Sequence, residues 1–81
     1  MIYNKETTKQ KITDDIKLYN PELKDSSIKQ YVHRIRFFIK NHNDIDLENP
    51  QEILDNINKA YDNINTRKGI LSPLARITQS K

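Results

Sequence analysis

Apolar residues at helical spacing between positions 28 and 39 are the feature of this 81-residue chain that most constrains its fold. Residues three and four positions apart lie on the same face of an α-helix, so such a run forms one continuous apolar stripe. The stripe consists of Ile28, Tyr31, Val32, Ile35, Phe38 and Ile39. It predicts a helix near 26–40, capped by Asp25 or Ser26, with one face buried against other elements.

Weaker stripes of the same kind predict three more helices, near 8–19, 50–63 and 67–78. The first is expected to start at Thr7, because Thr7 and Gln10 have the spacing of a capping box. The third has Asn49 as its predicted N-cap and Pro50 at its first position. Pro73 lies inside the fourth and removes one backbone hydrogen bond, which predicts a kink or a late start of the regular helix.

The predicted fold class is all-α, a small four-helix bundle formed by residues 1–81 as a single domain. One glycine and three prolines are too few for the turns of a sheet protein. Residues 1–6 are expected to be flexible, and residues 78–81 to begin a linker. The loop 41–49 is expected to turn Ile45 and Leu47 inward. The predicted shared core is Tyr31, Ile35, Phe38, Ile57 and Leu74. The third helix is expected to bury Ile53, Leu54, Ile57, Ala60, Tyr61 and Ile64. The fourth is expected to bury Ile70, Leu71, Leu74 and Ile77.

Several functional classes are disfavoured by composition. The chain has no cysteine, so it has neither disulfides nor thiolate metal sites. His33 and His42 lack the neighbouring ligands that a metal requires, and no glycine-rich phosphate loop is present. We therefore predict no catalytic residue, no metal, no cofactor and no enzymatic activity. The sequence has no long apolar run and no signal-peptide core, so no membrane partner is expected. The expected location is intracellular: cytoplasmic, or in the nucleus or a viral factory.

The formal net charge of +3 hides a strong segregation of charge along the chain. Residues 1–23 are neutral overall, whereas residues 24–40 hold five basic residues and one acidic residue. Residues 41–64 hold one lysine and six acidic residues, and residues 65–81 hold four basic residues and no acidic one. Such an asymmetry usually reflects the partners of a protein rather than its fold.

A helical wheel of the second predicted helix places its cations on one flank. Lys29, His33, Arg36 and Lys40 form this basic strip, and Phe37 points away from the core. Exposed single apolar residues are common, so Phe37 is either one of these or part of a contact surface for a protein or a nucleic acid. Both interpretations remain open at this point.

The fourth predicted helix begins with Thr66, Arg67 and Lys68, and a basic first turn opposes the helix dipole. Free backbone N–H groups with added basic side chains are suited to phosphate. Lys68, Ser72 and Arg76 then recur every four residues, opposite the apolar face. A charged stripe is usually only a solvated face, but the absence of acidic residues here favours nucleic acid.

Two runs of the sequence resemble the core-binding domains of tyrosine recombinases and phage-type integrases. The first is Ser27-Ile28-Lys29-Gln30-Tyr31 with Ile35-Arg36-Phe37-Phe38-Ile39, which is similar to the family helix ST-I-x-x-Y-x-x-x-(I/L)-x-x-F. The second is Asn65-Thr66-Arg67-Lys68-Gly69-Ile70-Leu71-Ser72-Pro73-Leu74, which is similar to the last core-binding helix, T-x-x-x-x-L-S-A-L. The resemblance extends from about Thr7 to Ile77, and Pro73 departs from it.

The resemblance implies a SAM-like orthogonal bundle that forms half of a clamp around duplex DNA, with its second and fourth helices against the duplex. Lys29, His33, Arg36 and Lys40 match outward positions of the second helix, and Thr66, Arg67, Lys68 and Ser72 match the DNA-facing part of the fourth. With Phe37 and Arg76, these are the predicted DNA-binding residues. The catalytic residues of the family lie in a separate domain, and none can be placed here.

Two functional hypotheses follow. In the first, the chain binds double-stranded DNA and positions the catalytic domain of an integrase-like recombinase for site-specific recombination. The end of the sequence just after the fourth helix favours a fragment over a stand-alone relative, and self-association on DNA would then involve the absent domain. In the alternative, the chain is a helical protein–protein module that binds an acidic partner.

Overall fold

The computed structural model describes residues 2–79, and it confirms a small helical bundle. Its elements are β1 (Ile2–Tyr3), α1 (Lys9–Tyr19), α2 (Asp25–Asn41), β2 (Ile45–Asp46), α3 (Pro50–Ala60) and α4 (Ile64–Gln79). The four helices within this range agree with the predicted all-α class, whereas the two short strands were not predicted. Within the predicted linker, positions 78 and 79 belong to α4, and positions 80 and 81 lie outside the described residues.

The start of α1 differs from the prediction by one residue. Thr8 is the N-cap, and its side chain accepts a hydrogen bond of 3.1 Å from the backbone N–H of Lys11. Thr7 instead closes the preceding turn, where its hydroxyl accepts from the N–H of Asn4 at 2.9 Å. The predicted capping box therefore does not form, because the turn after β1 already uses Thr7. In α2 the N-cap is Lys24, which makes no side-chain capping bond.

The junction between α3 and α4 lies three residues earlier than predicted. α3 begins at Pro50 after the N-cap Asn49, as expected, but it ends at Ala60, and α4 begins at Ile64. Asn63 explains the early start, because its side chain accepts from Asn65 N–H at 2.8 Å and its carbonyl accepts from Arg67 N–H at 3.1 Å. α4 then continues through Pro73, so the expected late start is wrong.

The core is one cluster to which every element contributes. Its fully buried side chains include Ile35, Phe38, Ile57 and Leu74, as predicted, whereas Tyr31 is only half-buried at the margin. Ile45 and Leu47 are buried, which confirms the inward turn of the loop. The remaining buried hydrophobic residues are Tyr3, Ile12, Ile16, Ile28, Val32, Ile39, Ile53, Ile70 and Ile77.

Two residues predicted for the core of the third helix are exposed instead. Leu54 is 38% exposed and Ile64 is 61% exposed. The buried stripe of α3 is narrower than predicted, because only Ile53 and Ile57 face the core directly. Leu54 lies one residue beyond that stripe, and Ile64 belongs to the first turn of α4 rather than to α3.

The N-terminal segment forms structure that the sequence did not indicate. β1 pairs antiparallel with β2, with Ile2 opposite Asp46 and Tyr3 opposite Ile45. Tyr3 is fully buried, and its hydroxyl donates to Asp15 Oδ2 at 2.6 Å. Residues 1–6 were expected to be flexible; of these, Ile2 and Tyr3 form β1, and position 1 lies outside the described residues. A two-residue strand has no periodicity to read, and only the tertiary contact with α1 and β2 holds it in place.

Candidate nucleic-acid interface

The outer face of α2 presents several basic side chains to solvent. The apolar stripe of this helix is buried, so the residues between its members must face solvent. Lys29, His33, Arg36 and Lys40 are all exposed, as the helical wheel predicts. Phe37 is 53% exposed among them, although it is a large apolar side chain.

A groove of about 540 Å³ runs along this face. We call it the α2 groove, and it is lined by Asn4, Lys5, Thr7, His33, Arg36, Phe37, Ile39 and Lys40. One wall is α2 and the other is the turn that follows β1. Lys5 is a functional candidate that the sequence did not reveal. It joins the site only because the pairing of β1 with β2 brings this turn beside α2.

The cations of the α2 groove have no acidic counterpart among residues 2–79. The ion pairs within that range are Lys11–Asp15, Lys17–Asp25 and Arg76–Glu22, and none of them involves a residue of the groove. The groove lining contains no aspartate or glutamate. Positive charge that is not neutralised locally attracts anionic partners, and a concave surface strengthens the local potential.

A second, smaller depression of about 210 Å³ lies between α2 and α4. We call it the interhelix pocket, and it is lined by His33, Arg34, Phe37, Tyr61, Thr66 and Ile70. His33 and Phe37 therefore belong to both depressions. Arg34 is a second functional candidate that the sequence did not reveal, because nothing in a helical pattern shows which neighbour a side chain will approach.

Arg34 lies against the chain's single glycine, which is buried within α4. A Cβ atom at Gly69 would come within 3.0 Å of the Arg34 Cζ atom and closer still to its Nη1. The missing side chain therefore lets the guanidinium lie across the α4 backbone. Here the glycine serves a close approach between two helices and not a turn.

The predicted residues of α4 divide into three groups. Arg67 Nε donates a hydrogen bond of 2.6 Å to the carbonyl of Tyr61, and Arg76 forms an ion pair of 2.8 Å with Glu22. Lys68 and Ser72 are exposed and line a separate shallow depression beside α3. Thr66 alone faces α2, in the interhelix pocket. Of the predicted residues, Lys29 and Arg76 line none of these three depressions.

Three aromatic rings pack together, in tilted and edge-to-face arrangements, where the end of α2 meets the end of α3. The ring centroids of Phe38 and His42 are 5.3 Å apart, and that of Tyr61 lies 6.2 Å from Phe38 and 5.4 Å from His42. Burial raises the pKa of Tyr61. Tyr61 belongs to this cluster and also lines the interhelix pocket, so the packing of the three rings holds that wall of the pocket in place.

Comparison of the chain with protein-family models, with curated proteins and with solved structures finds no match. Within residues 2–79, no three histidine or carboxylate side chains come together as a metal site would require. None of the helices in that range is long and apolar enough to cross a membrane. Function is therefore inferred from the α2 face itself.

Proposed function

We propose that this chain binds double-stranded DNA through the outer face of α2, mainly by contacts with phosphates. The observation that supports this proposal is the α2 groove, where Lys5, Arg36 and Lys40 surround a half-exposed Phe37 without a described carboxylate. Contacts between basic side chains and phosphates give affinity that depends little on base sequence. A rigid helix presents these cations in one fixed arrangement, which reduces the entropy lost on binding.

The resemblance to core-binding domains extends this proposal to a biological role. In that role the chain positions the catalytic domain of an integrase-like recombinase on its DNA site. Outward residues of α2 match the family, and the cations of the α2 groove have no ion-pair partner among residues 2–79. Lys68 and Ser72 on α4 would contribute only if the duplex extends across α4 as well.

The first test is a titration of fluorescent duplex DNA at several salt concentrations. We expect micromolar or weaker affinity, and a logarithm of the binding constant that falls linearly with the logarithm of salt concentration. Arg36→Ala combined with Lys68→Ala should weaken binding to unrelated sequences by similar factors. Each phosphate interaction that a substitution removes should reduce the slope by about 0.9. The single variants then show whether α4 binds a phosphate in addition to those bound by α2.

The matched control is Lys9→Ala combined with Lys59→Ala, which removes the same charge from exposed positions outside both depressions. This variant should bind DNA almost as well as the wild type. If it loses as much affinity as the Arg36 and Lys68 variant, the attraction is only diffuse net charge. The proposed surface would then have no specific role.

One observation favours the alternative, a protein–protein module that binds an acidic partner. Phe37 is 53% exposed, and aromatic side chains often dominate the energy of protein interfaces. Phe37→Ala separates the two functions. In a protein interface its loss should abolish association while DNA binding persists. On DNA it should cost at most about 1–3 kcal/mol, the value of one stacking contact.

A further inference from the structure

Phe37 lies between two cationic depressions rather than at the edge of one. Arg36 and Lys40 line the α2 groove on one side of it, and Arg34 lines the interhelix pocket on the other. At 100° per residue, Arg34 and Arg36 leave the helix about 160° apart, and Phe37 lies in the solvent-facing sector between them. The outer face of α2 therefore presents one exposed aromatic side chain, next to His33, with a cationic flank on each side.

On the other flank, the guanidinium of Arg34 has a defined position against α4. Its guanidinium occupies the space that a side chain at Gly69 would need. Among residues 2–79, no carboxylate forms an ion pair with Arg34. Thr66 adds a hydroxyl to the same pocket. Both flanks can therefore accept a phosphate without breaking an ion pair within the described chain.

Two flanks on opposite sides of one helix fit two phosphate backbones with a groove between them. The major groove of B-DNA is about 12 Å wide and admits an α-helix, whereas the minor groove, about 6 Å wide, does not. A side chain in the middle of the inserted face, such as Phe37, points at the base edges. The apolar group that those edges present in the major groove is the 5-methyl group of thymine.

Resting on the proposed function, we propose that Phe37 contacts thymine methyl groups in the major groove. Arg36 and Lys40 then contact the phosphates of one strand, and Arg34 contacts those of the other. The module would have a preference for thymine-containing duplexes that its phosphate contacts cannot supply. Phe37 becomes the residue that determines this preference.

The test compares alternating poly(dA-dT) duplex with alternating poly(dA-dU) duplex at one salt concentration. The two polymers have the same phosphates and the same base-pair hydrogen bonds, and they differ by the 5-methyl group. We expect the wild type to bind the thymine polymer roughly fourfold more tightly, the value of one buried methyl group. Phe37→Ala should bind both polymers equally, with an unchanged salt slope, and Phe37→Leu should keep part of the preference.

A second pair of polymers and a control variant isolate the contact. Alternating poly(dG-dC) with 5-methylcytosine has a methyl group at the same position of the major groove, so it should bind more tightly than the unmethylated polymer. Leu18→Ala is the matched control, because Leu18 is 70% exposed on α1 and lines neither depression. This variant should keep the full preference for methylated polymers.

Equal binding of the wild type to the thymine and uracil polymers would overturn this inference and leave the DNA-binding proposal standing. A preference that survives in Phe37→Ala would do the same, since the methyl group would then be read elsewhere. Tighter binding to single-stranded oligo(dT) than to any duplex would assign Phe37 to stacking on unpaired bases and also overturn it. Absence of salt-dependent binding to every duplex would overturn both proposals.

Discussion

Asp15 is a carboxylate in the core, only 7% exposed, and two donors keep it there. The Tyr3 hydroxyl donates to one of its oxygens at 2.6 Å, and Lys11 Nζ lies 3.0 Å from the other. Because an unpaired buried charge is costly, removal of either partner should lower stability. Burial, followed by the bond to Asp15 and the charge of Asp15, raises the pKa of Tyr3 far above its ordinary value. The bond ties β1 to α1.

Tyr3→Phe removes the hydroxyl and keeps the ring, so it tests the bond alone. We expect unfolding to become easier by about 1.5–3 kcal/mol, the range for a hydrogen bond to a charged group. The measurement is urea denaturation, where the midpoint should fall and the slope should stay constant. Tyr31→Phe is the control, because no residue in the described range accepts a hydrogen bond from Tyr31. An equal fall of the midpoint in both variants would contradict the special role of Tyr3.

The wild type and Tyr3→Phe should also differ in how their stability changes in alkaline solution. Tyr3 stays protonated in the folded chain above pH 10, whereas the unfolded chain loses that proton near the ordinary tyrosine pKa. Stability from this group is therefore complete below about pH 10 and decreases as pH rises further, by at most about 1.4 kcal/mol per pH unit. Urea midpoints between pH 9 and 11 should fall more steeply for the wild type than for Tyr3→Phe. Parallel curves would show that Tyr3 does not cause the decrease.

At the scale of single elements, sequence reasoning succeeds where the determining contacts are local. The period of α2 alone fixes which of its residues are buried and which point outward, so Arg36 and Phe37 could be assigned in advance. Helix ends were less predictable, because Asn63 and Thr8 compete with neighbouring residues of similar capping ability. The turns on either side determine which of these residues becomes the cap.

Contacts between distant elements were beyond the sequence. Lys5 joins the site through the pairing of β1 with β2, and Arg34 joins it through the approach of α2 to α4 at Gly69. A lone glycine in an apolar helix indicates a packing reason in general, but it does not name the side chain that uses the space. The predicted cations of α4 show the same limit, since Arg67 and Arg76 each have a partner within the chain.

Gly69→Ala separates the stability of α4 from its proposed role in binding. The new methyl group would displace only the flexible end of the Arg34 side chain. Alanine is favoured over glycine inside a helix by about 1 kcal/mol, so stability should stay the same or rise. Affinity for duplex DNA should nevertheless fall, because the guanidinium leaves the interhelix pocket. Urea denaturation and DNA titration of the same sample measure the two effects.

Asn65→Ala is the control for Gly69→Ala, since Asn65 is an exposed residue of the same helix that lines neither the α2 groove nor the interhelix pocket. It should leave both stability and affinity nearly unchanged. The assigned role of Arg34 requires that Arg34→Gln lower DNA affinity as Gly69→Ala does. Undiminished affinity in both of these variants would remove the second flank from the binding surface.

At the scale of the whole molecule, the acidic residues within the range 2–79 form no ion pair with the cations of the α2 groove. α2 packs mainly on α1 and α4, whereas the acidic α3 packs mainly on α4 and β2. The acidic segment lowers the net charge of the chain without neutralising the α2 groove. A net charge of +3 thus understates the potential that a partner meets at that face.

Because the cations of the α2 groove have no ion-pair partner among residues 2–79, salt is expected to weaken DNA binding without lowering the stability of the fold. Two of the three ion pairs within residues 2–79, Lys17–Asp25 and Arg76–Glu22, join side chains that are both at least half exposed, and such pairs contribute little to stability. The third, Lys11–Asp15, includes a buried carboxylate, so salt screens it less. The cations of α2 repel one another, and salt screens that repulsion. Raising sodium chloride from 50 to 500 mM should therefore leave the urea midpoint unchanged or slightly higher. If about three phosphates are contacted, the DNA binding constant should fall roughly 500-fold over the same range.

Both quantities should be measured in identical buffers, with urea as the denaturant because guanidinium chloride is itself a salt. Helical circular dichroism in the binding buffer provides the control that the chain stays folded. A urea midpoint that falls together with the affinity would mean that salt weakens binding by unfolding the chain. A steep fall in affinity at constant stability would instead mean that salt competes with phosphates for the exposed cations of α2. The proposed binding surface requires this second result.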